Sequence, residues 1–182
     1  MKEPFGTIAN KMEIRRITER DLPLRVEWMN HPSTYRTMHF DIPVTLEKTK
    51  VWYQAVAENE KRADLVAIES GKIVGFSGIT GIDPLVGKGE IYFFVNPLEH
   101  HKGVGTEVMS LTLDYAFDVM HLNKIFSHVN EDNIPSIRVQ QKLGFVEEGR
   151  MRKELLTESG ELKDRLYMGL LREEWYQKRN GQ

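Results

Sequence analysis

Glu99-His100-His101-Lys102-Gly103-Val104-Gly105-Thr106-Glu107 is a short polar segment caught between two apolar runs. Ahead of it, Glu90-Ile91-Tyr92-Phe93-Phe94-Val95 has the β-branched and aromatic content of a buried strand, and Pro97 stops it. Behind it, Val104, Val108, Leu111, Tyr115 and Val119 recur at helical spacing, which predicts a helix from Gly103 to about Met120. Strand, Gly-x-Gly, helix is a physical recipe for holding an anion. The helix start offers unpaired N–H groups and a partial positive charge, and the glycines let a phosphate approach the backbone. The spacing is not that of a Walker loop, which needs G-x-x-x-x-G-K-[ST]. Nor is it a Rossmann fingerprint, since Val108 stands where the third glycine belongs. Taken by itself, the glycine pair is equally a loop that needs flexible residues.

Outward from this segment the pattern is that of an α/β chain. Glu13 to Ile17 reads as a strand, and Thr18-Glu19-Arg20-Asp21 resembles a capping box. A helix follows, bearing Leu22, Leu24, Val26 and Trp28, and ends by Asn30-His31-Pro32. Thr45 starts a second helix after a loop. Runs at 64–69 and 73–80 flank Ser70-Gly71-Lys72 and predict a tight hairpin. After the central helix come a strand at 124–129, a helix opened by Asn133-Ile134-Pro135-Ser136 and closed at Gly144, and two strands, 145–156 and 162–171. The order β-α-α-β-β-β-α-β-α-β-β predicts an α/β fold with a mixed sheet. Residues 1–12 read as an N-terminal arm, 13–175 as one domain and 176–182 as a C-terminal tail.

Composition narrows the function. The 182 residues are one domain's worth and contain no cysteine, which excludes disulfide frameworks, thiolate metal sites and a cysteine nucleophile. The 25 basic and 27 acidic residues give a net charge of −2, without the basic excess of a general nucleic-acid binder. No segment approaches the ~20 apolar residues of a membrane span, and the N-terminus lacks a signal-peptide core. The expectation is a cytoplasmic protein with no nucleic-acid or membrane partner. Homodimer formation is compatible with the sequence. The adjacent His100 and His101 do not argue for a metal, because neighbouring side chains rarely converge on one site.

The run from Val95 to Phe145 resembles the GNAT superfamily of acetyl-CoA-dependent N-acetyltransferases. That family's pyrophosphate loop reads Q/R-x-x-G-x-G/A, and here the matching residues are His100-His101-Lys102-Gly103-Val104-Gly105. Asn133-Ile134-Pro135-Ser136 with Lys142-Leu143-Gly144-Phe145 resembles the family's N-x-x-S/A…K-L-G-F helix. Phe145 to Arg150, the Asp164…Tyr167 region and Trp28 to Pro32 look like its RimJ/RimL-type branch. The resemblance covers about residues 13–175 and implies a single-domain GNAT-like fold, a mostly antiparallel twisted sheet flanked by helices.

It also implies roles. Backbone groups of Phe93, Phe94 and Val95 meet the pantetheine arm and acetyl group. Amides from His101 to Thr106 cradle the pyrophosphate, with His100 at the loop's entry. Asn133 holds the pantetheine, with Ser136 nearby. Lys102, Arg138 and Lys142 are candidates for the CoA phosphates, or are ordinary solvated charges. Gln140 stands where many members place a tyrosine general acid, and an amide has no ionisable proton to give.

Acyl transfer needs a neutral amine. At pH 7 only about one lysine-like amine in 10³ is neutral, so a base is required. Direct attack on the thioester suits a chain without cysteine, with the Val95 N–H as donor to the developing oxyanion. Glu90 is the first candidate base, acting through water, or else a strand-edge glutamate in solvent. Tyr92, on the same face, completes the expected catalytic pair and lines the acceptor pocket. Trp28, His39 and Asp41 are the expected acceptor-binding residues, though Trp28 and Trp52 also suit a core. The acceptor is a small-molecule amine (a metabolite, antibiotic or amino sugar) or a protein N-terminus. A non-catalytic acyl-CoA-binding domain is the alternative from another class.

Overall fold

Ser70 and Gly71 both take positive φ, 50° and 78°. That is the type I′ hairpin geometry whose twist matches the strands it joins. The computed structural model describes residues 12–38, 40–98, 103–157 and 159–181. In chain order they form β1 (Met12–Arg16), a 3₁₀ turn (Glu19–Asp21), α1 (Leu22–Met29), α2 (Pro32–Met38) and α3 (Leu46–Val56). Then come β2 (Ala63–Glu69), β3 (Lys72–Asp83), β4 (Lys88–Val95) and α4 (Val104–Asp114), which ends in a π-helical turn at Tyr115–Val119. The chain closes with β5 (Lys124–Asn130), α5 (Ile134–Lys142), β6 (Val146–Leu156), β7 (Leu162–Leu171) and α6 (Arg172–Asn180).

The strands make one seven-stranded sheet in the order β1-β2-β3-β4-β5-β7-β6. It is mixed and mostly antiparallel, as expected; only β4 and β5 run parallel. Their pairing is brief, from Lys88↔Lys124 to Glu90↔Phe126. Past that point β4 stays bonded to β3 as far as Val95, and β5 to β7 as far as Asn130. The two central strands therefore splay, and the edge of β4 from Ile91 to Val95 has no β5 partner.

Strand alternation sends β4 side chains to opposite faces. Ile91 packs with Met109, Leu113 and Phe117 under α4, in the larger core. Phe94 goes the other way, to a second core with Leu22, Trp28, Val66 and Phe76 under α1. Glu90 and Tyr92 share this second face by the same alternation.

Two helices were not predicted. α2 lies in the expected loop at 31–44, because Pro32 opens its first turn instead of only ending the helix before it. Its residues carry no apolar period, and only Thr34 is buried. α6 is likewise polar and is held by tertiary bonds. Trp175 Nε1 donates to Asp114 (2.9 Å), Tyr176 Oη donates to Asp118 (2.8 Å), and Arg179 bridges both carboxylates at 2.7 Å. The sequence boundary at 175 falls inside this helix.

The anticipated cap at Thr18 is present and extended. Asp21 accepts from the Thr18 N–H at 2.7 Å and from Arg15 at 2.7 and 2.8 Å. Burial alone would raise this carboxyl, but the Arg15 and Thr18 bonds outweigh it and hold it below the usual carboxylate value. A lowered carboxyl contributes stability above its unfolded value of ~3.9 and loses it as pH falls through the folded one. Asp21→Asn is expected to cost about 1.5–3 kcal/mol at neutral pH. Urea unfolding of the two proteins should show that gap narrowing once the pH drops below about 4.

Candidate active site

Where β4 and β5 splay, a cavity of about 640 Å³ opens between α1, the 37–44 segment, α3, the two strands and α5. Glu90, Tyr92, Phe93, Asn133, Ser136 and Asp41 all line it, so the structure brings six of the sequence-predicted residues together.

Glu90 is not isolated. Its Oε1 lies 2.7 Å from His128 Nδ1. The register explains this: Glu90 stands beside Phe126, and His128 is two residues further along β5 on the same face. A carboxylate in its ionised form can only accept, so in that arrangement Nδ1 donates, and an imidazole that donates through Nδ1 has Nε2 left to accept a proton. Phe126 and His128 stand against Tyr167 of β7, with ring centroids 5.2 and 5.3 Å away, and this fixes the imidazole's plane. His128 also lines the cavity. Sequence reasoning missed it, because a histidine at an inner position of a strand signals nothing until its neighbour strand is in register.

Gln140 is locked rather than catalytic. It is buried, accepts from Ser127 Oγ at 2.6 Å and donates to Ser136 Oγ at 3.3 Å. Asn133 caps α5, its Oδ1 accepting from the Ser136 N–H at 3.3 Å.

Tyr92, expected as one of the catalytic pair and as a pocket-lining residue, stands in the cavity wall. Its hydroxyl donates to Asp64 at 2.5 Å, and Asp64 is gripped by Arg62 at 2.7 and 2.9 Å. Burial, foremost, pushes the phenol far above its ordinary value. It therefore lines the pocket with its proton already committed. Tyr92→Phe is expected to cost about 1–3 kcal/mol of stability. It should leave kcat/KM within about threefold and the pH profile unmoved, since no transition-state contact is lost.

Trp28 is corrected. It is 3% exposed, edge-on to Phe76, and does not reach the cavity. Trp52 of α3 lines the wall instead. The Phe94 ring is buried and stacks on Phe76, so only its backbone faces the splayed edge that ends at Val95. Gly103 caps α4 with φ 105°, a conformation that favours glycine. Val104, Gly105 and Thr106 form the first turn of that helix. A Cβ at Gly105 would sit 3.3 Å from the Phe93 ring, so the helix start approaches β4 closely only because that residue is glycine. The glycine contact, the open β4 edge and the Asn133 cap together suit an extended ligand carrying phosphates at one end. Arg138 and Lys142 are exposed on α5 and do not line the cavity. His39, His100, His101 and Lys102 lie outside the described residues. Among the described residues, no group of three or more His, Asp or Glu could hold a metal, and no helix is long and apolar enough to cross a membrane.

Residues 11–146 match the family model described as acetyltransferase (GNAT) domain. The spermidine N(1)-acetyltransferase of Escherichia coli is 23% identical over 169 residues, spanning 92% of this chain and 89% of that protein. A putative ribosomal N-acetyltransferase of Bacillus subtilis is 30% identical over 118 residues, covering 62% of this chain and 64% of its own. The fold superposes on the Vibrio cholerae spermidine N-acetyltransferase, solved in complex with CoA and spermine, with a TM-score of 0.87 at 20% identity. That match covers 91% of this chain and 98% of the other.

Proposed function

Because this chain belongs to the GNAT family of acetyl-CoA-dependent N-acetyltransferases, we propose that its acceptor is the primary amine of a small molecule. The observation that carries this reading is the bounded cavity beside the splayed edge of β4. Thr37 and Met38 of α2, with Phe40, Asp41, Pro43 and Val44 after it, form one wall of this cavity of about 640 Å³, a volume that suits a small acceptor. Asn30 pins that wall: its Nδ2 donates to the Val44 carbonyl, and its Oδ1 accepts from the Val44 N–H, each at 2.8 Å. The relatives that act on spermidine support a small amine as acceptor. The Bacillus relative supports kinship with the RimJ/RimL-type branch. A cysteine-free chain also suits the reducing cytoplasm.

Bound acetyl-CoA supplies an activated acetyl thioester. In this reading α4's first turn, from Gly103 to Thr106, holds its phosphates, and Asn133 and Ser136 hold its pantetheine. The free edge of β4 aligns the acetyl group, with the Val95 N–H placed to stabilise the charge that builds on the carbonyl oxygen. His128, oriented by Glu90, removes the proton that the attacking amine must lose. The N–C bond forms as the C–S bond breaks, and the departing thiolate takes its proton from solvent. Incubation with acetyl-CoA and a panel of small amines tests the reading by thiol release, which the cysteine-free protein does not obscure. Amine-dependent release supports it. CoA binding without release on any amine contradicts it.

A further inference from the structure

Arg25 of α1 reaches the cavity as a charge in search of a partner. It is 6% exposed and lines the wall. Its guanidinium lies among four aromatic rings, 4.9 Å from Trp52, 5.3 Å from Phe94 and 5.6 Å from both Phe76 and Tyr92. Ring faces stabilise a cation, but they do not satisfy its fork of five N–H donors. No hydrogen-bond acceptor meets it among the described residues, and Nη1 is buried without a partner. Leaving such a group unpaired away from water is costly.

The other charges on the wall sharpen this. The cations are Arg25, Lys48, Arg62 and Arg165, against the carboxylates Asp41 and Glu90. Arg62 is neutralised by Asp64, which leaves Arg25, Lys48 and Arg165 against Asp41 and Glu90. Arg165, beside His128, donates through Nη2 to the His128 carbonyl at 3.0 Å, and its Nε is buried without a partner. Among the described residues the wall therefore carries a cationic excess, the wrong sign for a polycationic acceptor.

We propose that the acceptor carries an oxyanion, a carboxylate or a phosphate, that Arg25 binds while the acceptor's amine reaches His128. This rests on the acetyltransferase reading above and names the substrate class for that same cavity. A guanidinium is suited to it, because its planar fork meets either group with paired charge-assisted bonds. Tyr92, over which Arg25 sits, and Glu90 are two residues apart on β4, or about 7 Å. The acceptor thus holds its anion and its amine a short spacer apart.

The test compares kcat/KM for γ-aminobutyrate with butylamine, for O-phosphoethanolamine with ethanolamine, and for spermidine, using the full chain and acetyl-CoA. The anionic member of at least one pair should exceed its neutral partner by about tenfold or more, and spermidine should be poor. Which pair shows the gap separates carboxylate from phosphate. In Arg25→Gln the advantage should shrink below about threefold, and Arg25→Lys should restore part of it. Equal use of both members, preference for spermidine, or an Arg25→Gln loss that strikes neutral and anionic amines alike would overturn the proposal while leaving acetyl transfer intact. If no amine turns over, the acetyltransferase reading of this cavity fails instead. Calorimetry with γ-aminobutyrate and O-phosphoethanolamine then decides the Arg25 site. Binding that Arg25→Gln removes sustains it, and absence of binding sinks it.

Discussion

His128→Asn lowers kcat/KM for amine acetylation by about 10²–10⁴-fold, the range expected when a positioned general base is removed. Asn roughly matches the near half of the imidazole and can still hydrogen-bond Glu90, but it has no basic nitrogen to offer the amine. The loss falls on kcat more than on KM, because the interaction is made only as the proton moves. Glu90→Gln gives a smaller loss. The amide can still bond Nδ1, but it no longer forces the proton onto that atom. If the two act as a unit, the double variant is little worse than His128→Asn alone. Steady-state kinetics on the three variants across pH checks this. Independent, additive losses would mean that Glu90 works through water, apart from His128.

Gly105→Glu raises the dissociation constant for CoA by about 10²-fold or more. Two effects combine. The new Cβ points at the Phe93 ring at 3.3 Å and lies 4.0 Å from Val95 Cγ1, so the side chain wedges the first turn of α4 from the open edge of β4. The carboxylate also sets a negative charge at the helix start, where phosphate would otherwise meet the positive end of the helix. Gly105→Ala adds only the methyl group and is expected to cost far less. Calorimetric titration with CoA separates the two variants. Wild-type affinity in Gly105→Glu would move the phosphate site away from α4.

What the sequence made legible follows from where local signals are strong. β4, the glycine turn and α4 were readable because the apolar period changes abruptly from strand to helix across Gly103 and Gly105. The Ser70-Gly71 hairpin and the caps at Thr18 and Thr45 were readable from turn and cap chemistry. α2 and α6 were not, because neither carries an apolar stripe; α6 is held by bonds to Asp114 and Asp118, some sixty residues away in sequence. The same limit governs the site. Glu90, Tyr92, Asn133 and Ser136 could be singled out because they flank recognisable motifs, and all four line the cavity. His128 was missed because its role depends on the brief parallel register that sets Glu90 beside Phe126. Trp28 and Trp52 both sit in helical segments of similar character, and only packing sends one to the core and the other to the cavity wall. Arg25 looks like a surface arginine until α1 turns it onto the aromatic rings of β3 and β4.

Acetyl transfer to a small amine is the activity proposed for this cavity. It is tested most directly by competition, with the protein and acetyl-CoA given small primary amines and short peptides with free N-termini at equal concentration. Mass spectrometry then locates the acetyl group. Acetylated small amines are expected, with the peptides largely unmodified. Acetyl groups on the peptide N-termini, with the small amines untouched, would contradict it.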